Sequence, residues 1–95
     1  MSELHIPTLR RIAERQLKDN GRISATLLDT IIEDWGVDYS RYKDQARAKD
    51  LWHNLVSLYL INPELYTNAN SYIKGIHDTL KVRKEKGDDI PDIIA

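Results

Sequence analysis

The chain has 95 residues, room for one small domain and too few for two independent cores. Hydrophobic residues make up 41% and charged residues 31%, which excludes both a disordered tail and a membrane span. Fourteen Lys+Arg against fifteen Asp+Glu leave a net charge of -1, so a uniformly basic nucleic-acid-wrapping protein is excluded too.

With no cysteine, disulfide scaffolds, thiolate zinc sites and cysteine nucleophiles are ruled out. Four glycines and three prolines are too few for the many tight turns of an all-β domain. The first twenty residues are charged throughout and carry no apolar run of signal-peptide length. The longest strongly apolar run, Leu55 to Ile61, is far short of the roughly 20 residues a membrane crossing needs. The expected location is the cytoplasm, of a cell or of a virus-infected host.

In chain order, Leu9, Ile12, Ala13 and Leu17 recur at three- and four-residue steps and predict a first helix. Pro7 suits its first turn and Asn20-Gly21 its left-handed stop. Ser24 is the expected cap of a second helix with the stripe Leu27, Leu28, Ile31, Ile32 and Trp35, ended by Gly36. A third helix is expected to start after Asp38 or Ser40 and to run to about Ile61. Its early turns are charged, whereas Leu51–Ile61 is apolar on more than half its circumference.

Asn62-Pro63-Glu64 reads as a helix restart, with Pro at the first helical position and an acid near the positive dipole end. The fourth helix carries Leu65, Tyr66, Ala69, Tyr72, Ile73, Ile76, Leu80 and Val82, with a kink or break near residue 68. Cations among residues 81–86 suit its negative end before Gly87. The expected architecture is all-α: a small bundle of four or five helices with short connections over residues 1–87, followed by an acidic-apolar tail at 88–95. A three-helix core with one projecting helix is the competing arrangement.

The near-zero charge conceals an uneven distribution. Arg10, Arg11, Arg15, Lys18 and Arg22 make the first helix basic, while residues 23–40 carry Asp29, Glu33, Asp34 and Asp38 with no base. Basic residues return at Arg41, Lys43 and Arg47 and again at Lys81–Lys86. These faces are either solvated surfaces paired with neighbouring helices, phosphate-binding faces, or complementary halves of a homo-oligomer contact. A helix-turn-helix around Gly36 is disfavoured. That motif needs a small residue about four positions before the glycine, and Ile32 stands there.

No catalytic constellation is visible. His5, His53 and His77 lack metal-ligand spacing, and the isolated glycines form no phosphate loop. His77 is expected to border the core and His53 to be exposed. The chain is therefore expected not to be an enzyme, and no cofactor, metal or small-molecule substrate is implied.

Two short stretches resemble known families. Asp88-Asp89-Ile90-Pro91 is similar to part of the acidic tip of bacterial single-stranded-DNA-binding proteins, although those tips end in Pro-Phe and here Asp92-Ile93-Ile94-Ala95 follow. The resemblance implies a short linear motif for a groove with basic rims. The alternative is a tail that folds back so that Ile90, Ile93 and Ile94 cover an exposed edge. Asn62-Pro63-Glu64-Leu65-Tyr66-Thr67-Asn68-Ala69 resembles the proline-led helix start of small terminase subunits of tailed phages, which implies a ring-forming, DNA-binding packaging protein.

The residues favour a non-enzymatic protein–protein interaction or assembly factor that self-associates through an apolar-aromatic helical surface. Trp52, Leu55, Tyr59 and Tyr66 are its expected anchors, because Tyr and Trp pair a large apolar body with a polar handle. The alternative is a nucleic-acid-binding accessory protein that places Arg10, Arg11, Arg15, Arg41, Lys43 and Arg47 on phosphates.

Overall fold

A computed structural model of the chain describes residues 5–62 and 68–94. Among them, four helices follow in order: α1 (Ile6–Asn20), α2 (Ala25–Asp34), α3 (Gln45–Leu60) and α4 (Ala69–Glu85). This is the expected small all-α bundle. No helix among the described residues is long and apolar enough to cross a membrane.

The local stop and start signals act where the sequence places them. Pro7 occupies the first turn of α1, where a missing N–H breaks no helical bond. Gly21 ends the helix at φ 78, and its amide donates to the Leu17 carbonyl at 2.9 Å. Ser24 Oγ accepts the Leu27 amide at 3.1 Å and so caps α2. The Ser24 amide in turn donates to Gln16 Oε1 at 2.8 Å, which pins the start of α2 to the side of α1.

The third helix starts later than the sequence suggests. Asp38 caps a single 3-10 turn, Tyr39–Arg41, by accepting the Ser40 amide at 2.9 Å. Tyr42 is then extended, and Asp44 caps α3 by accepting the Arg47 amide at 3.0 Å. Tyr42 leaves the helical path because its ring is buried and its hydroxyl accepts the Trp52 indole N–H at 3.2 Å. The α2–α3 connection consequently spans residues 35–44, longer than expected.

The restart at Asn62-Pro63-Glu64 lies, from residue 63 on, outside the described residues, as do Leu65 and Tyr66. Asn62 itself donates its side-chain amide to the Leu58 carbonyl at 3.1 Å, at the exit of α3. The helix described beyond the break begins at Ala69, capped by Asn68 Oδ1 on the Ser71 amide at 2.9 Å. Val82 departs from the expected stripe: it is exposed, while Tyr72, Ile76 and Leu80 point inward.

Helix α3 is the hub, packed against α1, α2, α4 and the 3-10 turn. Its Ala48, Leu51, Trp52, Leu55, Val56 and Leu60 are buried, against Leu9 and Ala13 of α1, Ile31 and Ile32 of α2, and Ile76 and Leu80 of α4 in one continuous core. Full burial of each large aliphatic side chain contributes about 1.5–3 kcal/mol. Trp35 stacks on Tyr72 with ring centroids 5.2 Å apart, joining the end of α2 to α4.

Candidate functional site

A concavity of about 710 Å³ lies between the α1–α2 corner and the outward face of α3. That face follows helical spacing through Arg47, Asp50, Asn54, Leu58 and Ile61. The opposite wall is supplied by Leu17, Ile23 and Leu28 with Gly21 and Arg22 at the corner. Along α3 the groove is apolar at Leu58 and Ile61, which are 46% and 40% exposed one turn apart, and polar around Arg47, Asp50 and His53.

His53 is not the exposed residue that the sequence suggests. Its Nε2 lies 2.7 Å from Asp29 Oδ1, and only 15% of its side chain is exposed. Lys49 Nζ stands 3.8 Å from the same oxygen, so α2 and α3 are joined by a charged cluster beside the groove. His77 is exposed at one edge, yet its ring meets Trp52 edge-on at 5.1 Å, so it borders the core.

The residues expected to anchor a partner divide into three groups. Trp52 and Leu55 are buried in the chain's own core, 0% and 2% exposed; both point inward because α3 is surrounded by the other helices. Tyr59 is partly buried, with its hydroxyl 2.5 Å from Thr79 Oγ1 of α4. Tyr66 lies outside the described residues. The apolar surface that sequence analysis assigns to a partner is thus taken up in part by the fold, and Leu58 and Ile61 are what α3 leaves outside.

The basic residues fall on two surfaces. On α1, Arg10 is partly buried, while Arg11 and Arg15 are exposed around a shallow depression shared with Glu14, Lys18 and Asp19. Arg15 Nε lies 3.7 Å from Asp19, an exposed pair of little energetic weight. Arg41, Lys43 and Arg47 instead run along the segment 88–94, which folds back onto the bundle. The Lys43 amide donates to the Asp92 carbonyl at 2.9 Å, the Ile94 amide to the Arg41 carbonyl at 2.6 Å, and Arg47 Nε to the Asp89 carbonyl at 3.4 Å. Lys84 of α4 pairs with the Asp92 carboxylate. Ile90 packs partly against the core, but Ile93 and Ile94 stay 55% and 51% exposed, so the expected covering of an edge is incomplete.

Two titrating groups carry a shift near the 3-10 turn. Hydrogen bonds from the Ser40 hydroxyl and amide hold the Asp38 carboxyl below its usual range. Burial, followed by repulsion from Asp29, pushes the Tyr39 phenol up to about 12. Its hydroxyl has no hydrogen-bond partner among the described residues. Comparison of the chain with protein-family models, with curated proteins and with solved structures finds no match, so the reading of these surfaces rests on their geometry.

Proposed function

We propose that this chain is a non-enzymatic interaction module that assembles with protein, in the first instance with a second copy of itself, through the groove between α1, α2 and α3. The observation that supports this reading is the ledge of Leu58 and Ile61, two large apolar side chains left exposed at the mouth of the 710 Å³ groove. Isolated exposed apolar residues are ordinary, but two on adjacent turns beside a partly apolar groove resemble the centre of an interface with a polar rim. Arg22, Arg47 and Asp50 supply that rim with both signs of charge.

Light scattering over a dilution series tests it: the average mass should rise with concentration, and a strict monomer at high micromolar concentration contradicts it. Nucleic-acid binding is the second reading, supported by Arg11, Arg15 and Lys18, exposed together on α1. That reading requires binding to duplex or single-stranded DNA that weakens steeply with salt, and no binding at low salt would contradict it.

A further inference from the structure

The segment 88–94 is held by contacts that any extended acidic-apolar strand of the same sequence can make. Tyr42 and Ile93 form an antiparallel bridge, flanked by the Lys43–Asp92 and Arg41–Ile94 main-chain bonds. Main-chain bonds give such a seat affinity without side-chain specificity. Specificity comes from charge, through the pairing of Lys84 with Asp92, while Arg47 adds a bond to the Asp89 main-chain carbonyl. Beneath the segment, Tyr42, His77 and Leu80 line a cavity of about 320 Å³ whose outer wall is Ile90, Pro91 and Ile93.

The seat is incompletely filled by the chain's own segment. Ile93 borders that cavity and a neighbouring one of about 440 Å³, yet remains 55% exposed. The tether is short: α4 ends at Glu85, and Gly87 turns the chain at φ 95 while the Asp88 amide donates back to the Arg83 carbonyl at 3.0 Å. A strand fixed so close to its origin has little freedom to settle deeper, and short hinges of this kind favour exchange of an element between copies.

We propose that the seat formed by residues 41–43, Arg47 and Lys84 is an inter-copy docking site, and that its occupant in trans is segment 88–94 of a second copy of this chain. Exchange keeps the main-chain bonds and the Lys84–Asp92 pair of the seat and brings a second copy against Ile93 and Ile94, whose exposed side chains the two copies then cover between them. Apart from Arg47, which borders both, it uses a different face from the α1–α3 groove, and it does not rest on that reading.

The Lys84–Asp92 contact allows a test on the unmodified chain. Equal amounts of isotope-heavy and light protein are unfolded, refolded together, and coupled with a carbodiimide, which joins an amine to a touching carboxylate with no spacer. Mass spectrometry of the Lys84–Asp92 cross-linked peptide should then find mixed heavy–light species, in a share that grows with protein concentration. Isotopically uniform cross-links at every concentration, or no Lys84–Asp92 cross-link at all, would overturn the proposal. The same experiment on the double variant Leu58→Asp/Ile61→Asp separates the two surfaces. Persistence of the mixed peptide there supports tail exchange, and its loss assigns the product to groove contact and overturns exchange.

Discussion

The Trp52 indole N–H donates to the Tyr42 hydroxyl at 3.2 Å, linking the middle of α3 to the extended residue that pairs with Ile93. A fully buried tryptophan thereby holds in place the backbone on which segment 88–94 is seated. Tyr42→Phe removes the acceptor and leaves the indole donor unpaired in the core, which costs about 1–3 kcal/mol. Chemical denaturation should show that loss.

Leu55 is 2% exposed in the centre of the hub helix. Leu55→Ala should destabilise the fold by about 2–5 kcal/mol through lost burial and the cavity left behind. Its effect belongs in the unfolding midpoint, with the association constant of the folded fraction unchanged.

Gly21 stops α1 at φ 78, and a methyl group added there would meet no atom within 4 Å. The cost of Gly21→Ala is therefore backbone strain alone, about 1–2 kcal/mol. Gly21→Asn, which tolerates the left-handed conformation better, should cost less in the same thermal-unfolding series.

Tyr39 predicts an alkaline effect. Its phenol titrates at 10.0 when solvated and at about 12 in the fold, so between these values the unfolded chain loses the proton while the folded chain keeps it. The contribution is fully present below pH 10.0 and is lost as pH rises through the folded value. Tyr39→Phe should remove one ionisation step near pH 12 from the ultraviolet absorbance titration and flatten the fall in stability over that window.

Much of the helical framework was legible because its signals are local. Ser24, Gly21 and Gly36 act within one turn of themselves, and the inward stripe of α2 keeps helical spacing. Local chemistry also misleads: Asp38 is a good cap, but it caps a 3-10 turn, and Asp44 starts α3. The site was harder to read because its contacts are non-local. Asp29 and His53 are far apart in sequence, as are Tyr42 and Ile93, and no periodicity marks either pair. The wide apolar face of Leu51–Ile61 has two physical explanations, a central position or a shared surface. In this fold the central position takes Trp52 and Leu55, and Leu58 and Ile61 remain outside.

Sedimentation equilibrium of the wild-type chain beside Leu58→Asp tests the groove directly. A charge at that ledge should leave the thermal midpoint nearly unchanged, because Leu58 is 46% exposed, while weakening self-association by about 2 kcal/mol or more. A wild-type chain that sediments as a monomer throughout, or a variant that associates as tightly as wild type, would contradict assembly through this groove.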